Sequence, residues 1–165
     1  MSARTVFVAG APAPQGSKSF KGYRGGKAIL VESSKAVGPW RERVALAAHS
    51  HARGLLPGPV ALTLDFVMPR PKSAPKRSTP PAVKRPDIDK LARAVLDALT
   101  DVWLADDSQV VSLHAIKRIA EIGETAGVRI TAEAATHCIA CRTDNPPPRP
   151  AGCGPECIEK ETGHA

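Results

Sequence analysis

Residues 60 to 68 alternate between two sets of side chains. The larger apolar members recur at every second position, as Val60, Leu62, Leu64, Phe66 and Met68. A period of two predicts a β-strand with one face on a hydrophobic core. Further apolar runs predict strands at about 5–9, 28–31, 109–119 and 128–132, and glycine or proline follows several of them.

Two other segments show the spacing of amphipathic helices. Leu91, Val95 and Leu99 recur one turn apart, which predicts a helix from Asp89 to about Trp103. An earlier helix is predicted from Pro39 in its first turn to about Ala52, with a buried stripe of Trp40, Val44 and Ala48. We interpret His49 and His51 as favourable charges at its negative end rather than as ligands. Two main helices among several strands indicate an α+β chain.

The length and composition divide the chain into two parts. A chain of 165 residues suits one domain with a real core. We expect an ordered domain at 1–135 and a separate tail at 136–165. No run of 18 apolar residues and no signal-peptide pattern is present in this sequence. We therefore expect a soluble, cytoplasmic protein with no membrane partner.

The positive charge lies in the expected domain. The net charge is +7 for the whole chain and +8 for residues 1–135. A basic domain of this size suits a polyanionic partner, because phosphate contacts supply most non-specific affinity for nucleic acid. The alternative is a surface that is basic only for solubility.

Two basic segments are candidate DNA-binding loops. Residues 15–27 are rich in glycine and predict a flexible loop that contacts DNA. The alternative is an ordinary solvated connection. The bases of this segment are Lys18, Lys21, Arg24 and Lys27. Residues 69–86 contain six prolines, six bases and no acid. So many prolines exclude a helix or a central strand, and we expect an extended, mobile loop. Its bases are Arg70, Lys72, Lys76, Arg77, Lys84 and Arg85.

Four acids stand close together in this basic chain. Asp87 and Asp89 open the second helix, and Asp106 and Asp107 follow it. Helix capping explains one carboxylate of the first pair and leaves the other without a role. A divalent cation explains the whole group, and hard oxygen ligands favour Mg²⁺ over zinc. The pattern indicates a magnesium-dependent nuclease.

Three blocks of sequence resemble the signature of the RusA family of Holliday-junction resolvases. They are RPDIDKL at 85–91, LDALT at 96–100 and WLADDSQVV at 103–111. An Asp-x-Asp motif alone is weak, but the three blocks in this order and spacing are specific. The resemblance extends more loosely from the first strand to about Ala132 and does not cover the tail.

The resemblance implies an α+β fold with a small mixed sheet of about four strands. It also implies a homodimer that binds branched DNA and cuts two strands symmetrically with Mg²⁺ during recombination and repair. The setting that the resemblance implies is a bacterial or phage-infected cell. The family's metal-site aspartates fall on Asp87, Asp89 and Asp107. Asp106 either assists the metal or only hydrogen-bonds the turn.

One difference from the family pattern concerns the residues that would stabilise the transition state. The best-known members have Asn directly after the second Asp and a Lys four positions after it, whereas this chain has Lys90 and Arg93. Either side chain neutralises a phosphate, although the planar guanidinium differs in geometry from an ammonium group. We assign Lys90 and Arg93 to this catalytic role.

Two other function classes remain open. A non-catalytic DNA-binding module would keep the basic loops and use the aspartates as helix caps. A different metal-dependent phosphoryl-transfer enzyme would also cluster carboxylates, but the sequence has no glycine motif that cradles a nucleotide.

The tail contains two pairs of cysteines around a proline-rich turn. Cys138 and Cys141 form one pair, and Cys153 and Cys157 form the other. Four thiolates in an intracellular protein indicate a structural Zn²⁺ site, with His137 and His164 as substitute ligands. The short spacer favours the alternative, a disordered tail with free thiols.

Overall fold

A computed structural model describes residues 3–16, 18–32 and 35–135. In chain order its elements are β1 (Arg4–Ala9), β2 (Lys18–Arg24), β3 (Lys27–Glu32), α1 (Val37–His51), β4 (Val60–Met68), α2 (Ile88–Leu99), a 3₁₀ turn (Asp107–Gln109), β5 (Val110–Ile119) and β6 (Gly127–Ala134). The expected tail at 136–165, with its four cysteines, lies outside the described residues. No described helix is both long and apolar enough to span a membrane.

The main sheet is mixed and has four strands in the order β1-β6-β4-β5. β4 and β5 run parallel, whereas β6 is antiparallel to both β1 and β4. Parallel neighbours need a long crossover, and residues 69–109 provide it, with α2 inside. The α+β class and the small mixed sheet are therefore confirmed.

The core lies on one face of this sheet. The alternate β4 residues Val60, Leu62, Leu64 and Phe66 are at most 1% exposed and share a core cluster with the buried residues of both helices. Burying each such side chain stabilises the fold by about 1.5–3 kcal/mol. The period-two pattern thus identified the strand and also the face that the helices cover.

The second helix ends earlier than its apolar spacing predicted. α2 stops at Leu99, and a turn follows in which Asp101 adopts a positive φ of 64°. The turn brings Trp103 into the core, where its indole Nε1 donates to the carbonyl oxygens of Ala48 and Ala52 at 3.0 and 2.9 Å. The apolar residues after Leu99 are buried by this turn, so helical spacing alone placed the end of the helix wrongly.

The glycine-rich segment at 15–27 is largely a hairpin rather than a loop. β2 pairs antiparallel with β3, and Arg24 faces Lys27 across Gly25 and Gly26. Both glycines have positive φ, 57° and 74°, as a tight two-residue hairpin turn requires. The Gly-Gly pair shortly before the apolar run at 28–31 was the signal that the prediction of a flexible loop missed.

Candidate functional site

The start of α2 carries the first pair of acids. Asp87 is the extended residue before the helix, with φ −71° and ψ 141°, and its carbonyl oxygen accepts from the Leu91 N–H at 3.2 Å. Its side chain makes no capping hydrogen bond. Asp89 lies in the first turn of the helix. Helix capping therefore does not account for the Asp87 carboxylate.

The buried stripe of α2 determines which side chains of its first two turns reach solvent. Leu91 and Val95 are fully buried against the core. The side chains of Asp89, Lys90 and Arg93 lie off this stripe and are exposed. Among the described residues, neither Asp89 nor Arg93 has a side-chain hydrogen bond or ion pair.

Cations surround Asp87. Lys90 Nζ lies 3.1 Å from Asp87 Oδ2, and the Asp87 side chain remains 49% exposed. The hydrogen bond and charge of Lys90, followed by the charges of Arg85 and Lys117, hold the pKa of Asp87 below its ordinary value. The helix N-terminus also favours negative charge. Asp87 thus presents an ionised, accessible carboxylate at neutral pH.

Lys117 belongs to this site, although the sequence analysis did not include it. It lies on β5, and its Nζ donates to the carbonyl oxygens of Lys84 and Pro86 at 3.0 and 2.8 Å. These bonds hold the end of the proline-rich loop against the sheet, directly before Asp87. Lys117 lies two residues after Ala115, which packs against the core, and a lysine on that side of a strand was the signal that could have found it.

The second pair of acids lies in a different environment. Asp106 Oδ1 accepts from the Ser108 N–H at 2.9 Å, and the Gln109 side chain reaches back to the Asp106 N–H, which completes a capping box. Hydrogen bonds from the Ser108 side chain, and then from its backbone, hold the pKa of Asp106 below its usual value. Asp106 therefore hydrogen-bonds the turn, which was one of its two predicted roles. Asp107 is the exposed first residue of the turn.

One chain does not bring all the predicted metal ligands together. α2 has 12 residues, a length of about 18 Å at 1.5 Å per residue. Asp107 lies just before the start of β5 at Val110. Lys117 lies seven residues further along β5, and it contacts the segment that precedes α2. At about 3.3 Å per residue these seven residues span about 23 Å. Consistently, the described residues contain no group of three or more His, Cys, Asp or Glu arranged to hold a metal ion.

The proline-rich loop, residues 69–86, is organised around one of its predicted DNA-binding residues. The Arg70 guanidinium donates to Thr79 Oγ1, to the carbonyl oxygen of Ser78 and to that of Ala120, at 2.7, 2.8 and 3.0 Å. Arg70 therefore holds the loop in shape. The other five bases remain exposed, namely Lys72, Lys76, Arg77, Lys84 and Arg85. The remaining predicted DNA-binding residues lie on the hairpin, with Lys18, Lys21 and Arg24 on β2 and Lys27 on β3.

Two comparisons with known proteins bear on this site. The family model described as endodeoxyribonuclease RusA matches residues 9–133, which is most of the chain. Uncharacterized protein YqaN of Bacillus subtilis (strain 168) is 32% identical over 124 residues, covering 69% of this chain and 86% of the relative. The region that the family model matches, residues 9–133, includes both pairs of acids and the proline-rich loop.

Proposed function

Because this chain belongs to the RusA family of endodeoxyribonucleases, we propose that it is a Mg²⁺-dependent nuclease that resolves four-way DNA junctions by paired, symmetric cuts. Such cuts serve recombination and repair. The observation that carries the proposal is the exposed carboxylate pair at the start of α2, immediately after a loop with six bases and no acid. Phosphate is drawn to the loop, and the carboxylates offer ligands for a cation beside it.

The donor chemistry at the start of α2 fits Mg²⁺. Asp87 and Asp89 supply hard oxygen ligands, and neither side chain caps the helix. Mg²⁺ is often held by only one or two carboxylates, with water and substrate phosphate completing its shell. When bound there, the ion would supply Lewis acidity toward the scissile phosphate and activate the attacking water.

Asp107 would join this pair from a second copy of the chain. Within one chain α2 separates the two pairs of acids by about its own length, about 18 Å. In a two-fold dimer, each contact occurs twice: if one residue contacts a second residue of the partner, the partner's copy of the first residue contacts the second residue of this chain. The partner's Asp107 against Asp87 and Asp89 would therefore create two equivalent sites. Two equivalent sites are what paired, symmetric cutting requires.

The cations around the carboxylates have separate tasks. Lys90 neutralises Asp87 through their ion pair, and Asp87 would have to exchange this partner for a divalent cation to bind the metal. Arg93 lies one turn beyond Asp89 on the exposed face and would contact the phosphate as negative charge develops on it. Lys117 positions the loop end through the Lys84 and Pro86 carbonyls and does not itself contact the substrate.

The alternative of a non-catalytic DNA-binding module has support at one residue. Asp106 does cap a turn, as that reading expects of the aspartates. Asp87 and Asp89 do not follow it, because the Asp87 side chain makes no cap hydrogen bond and Asp89 has no side-chain partner among the described residues. The pair that would bind metal is the pair that capping leaves unexplained.

The direct test is cleavage of a synthetic four-way junction with Mg²⁺. Asp89→Asn is expected to abolish cutting and to retain junction binding, since the amide keeps the shape of the side chain but loses its charge. Asp101→Asn is the matched control: Asp101 is exposed and has φ 64°, a conformation that Asn tolerates. Equal cutting by the wild type and Asp89→Asn would exclude the proposed site.

A further inference from the structure

The proline-rich loop encloses a cavity of about 450 Å³ next to the candidate site. Five prolines line it, together with Met68, Ile119, Ala82 and Val83. This volume falls within the range of pockets that hold small organic groups, about 300–1,000 Å³. No aromatic side chain lines the cavity, so an occupant would contact proline rings and aliphatic groups.

Hydrogen bonds hold the walls of this cavity in place. Arg70 donates to three acceptors within the loop, including the Ser78 carbonyl oxygen, and to the carbonyl oxygen of Ala120, directly after β5. Thr79 Oγ1 donates to the Glu121 carboxylate. At the other end, Lys117 fixes the Lys84 and Pro86 carbonyls. The cavity is therefore formed before any ligand arrives, which lowers the entropy cost of binding.

The charge around the cavity indicates the class of occupant. Lys84 and Arg85 line its edge, and Lys72, Lys76 and Arg77 are exposed on the same loop. The loop itself has no acid, and the charged side chains that line the apolar cavity, Lys84 and Arg85, are both positive. A nucleotide has the matching chemistry, since its base is a flat, largely apolar group and its phosphates are anionic.

The position of the cavity relates it to the carboxylates. Arg85, which lines it, is two residues before Asp87 along the chain. A DNA strand with a phosphate at Asp87 and Asp89 would therefore place a nearby nucleotide at Lys84 and Arg85. The branch point of a four-way junction offers a base that is cheap to unstack.

We propose that this cavity receives one unstacked nucleobase from the branch point, while Lys84 and Arg85 hold the adjoining phosphates. The inference rests on the proposed function and specifies how a junction, rather than a plain duplex, is recognised. Because carbon atoms dominate the lining, the pocket selects an unstacked base by shape and burial and discriminates weakly among bases.

The test uses a four-way junction with 2-aminopurine at a branch-point position, and Ca²⁺ in place of Mg²⁺ so that the DNA stays intact. 2-Aminopurine becomes more fluorescent when it leaves the base stack, and no aromatic residue in the cavity would quench it. Titration with the full-length protein is expected to raise the fluorescence. Ala82→Trp fills the cavity and is expected to abolish the rise and to weaken junction binding about tenfold, because the base is no longer buried against apolar groups.

Leu46→Trp is the control, because it adds a large side chain at a position on α1 that is 68% exposed. It should leave both signals unchanged. Circular dichroism checks the fold, and Ala82→Leu, which fills less of the cavity, replaces the Trp variant if that variant misfolds. Junction binding without any rise, at each branch-point position in turn, would overturn the inference, as would an unchanged rise in the filled variants. Failure of the proposed function would show separately, as no Mg²⁺-dependent cutting of the same junction by the wild type.

Discussion

One pair of aspartates lies at the start of α2 and the other lies at the 3₁₀ turn before β5, and the pairs differ in what their carboxylates already bind. In the 3₁₀ turn, Asp106 is engaged in a capping box with Ser108 and Gln109. At the start of α2, Asp87 pairs with Lys90, whose side chain is 46% exposed, and Asp89 has no side-chain partner among the described residues. A carboxylate that already satisfies backbone N–H groups stabilises the fold, whereas one left accessible is available for chemistry.

The comparison is sharpest between the adjacent residues Asp106 and Asp107. We expect Asp107→Asn to lower junction cutting by more than about 100-fold, which exceeds the loss typical of removing a group that only supports a metal ligand. Asp106→Asn should retain cutting within a few-fold, because Asn caps as well as Asp. Cutting rates under single-turnover conditions measure both. Similar losses in the two variants would mean that both acids bind the metal.

The capping box of the 3₁₀ turn has a structural role, so a change there is expected to lower the stability of the fold. Gln109 closes the capping box and also donates from Nε2 to the carbonyl oxygens of Leu56 and Gly58, at 3.3 and 2.9 Å. Gln109→Ala is expected to lower the free energy of unfolding by about 1–2 kcal/mol. Urea denaturation measures this change. An unchanged midpoint would show that the turn does not depend on the capping box.

The smallest effect concerns the charge of Asp87. Lys90→Gln removes the hydrogen bond and the charge that most depress its pKa, so this pKa should rise toward the ordinary value. Because the pKa is depressed in the folded protein, the pairing stabilises the fold at neutral pH and this contribution is lost as the pH falls through the folded pKa. NMR titration of the Asp87 carboxyl carbon measures the shift. No rise would place Lys90 away from Asp87 in solution.

The sequence predicted most of the architecture because periodicity reports burial directly. The strand at 60–68 and the stripes of both helices followed from it, whereas the site that the short acid motifs indicate stays a prediction. The predicted end of α2 was wrong because a turn, and not the helix, buries Trp103. The indole of Trp103 is held by carbonyl groups at the end of α1, far away in the chain. The role of Lys117 also depends on a contact between segments far apart in the chain, which spacing along one element does not report.

The separation of Asp107 from the other pair was the feature least accessible from sequence. Motif order placed Asp107 in the same signature as Asp87 and Asp89, but the direction of α2 along β5 sets them at opposite ends. We propose that a second copy of the chain brings its Asp107 to Asp87 and Asp89, so that two subunits share one metal site.

Subunit complementation tests this claim most directly. Asp89→Asn and Asp107→Asn are each expected to be inactive alone, while a heterodimer of the two, purified through different affinity tags, contains one site with Asp87, Asp89 and the partner's Asp107 all intact. That heterodimer should nick one strand of a four-way junction in Mg²⁺ and leave the opposing strand uncut. A heterodimer as inactive as either variant alone would contradict a shared site.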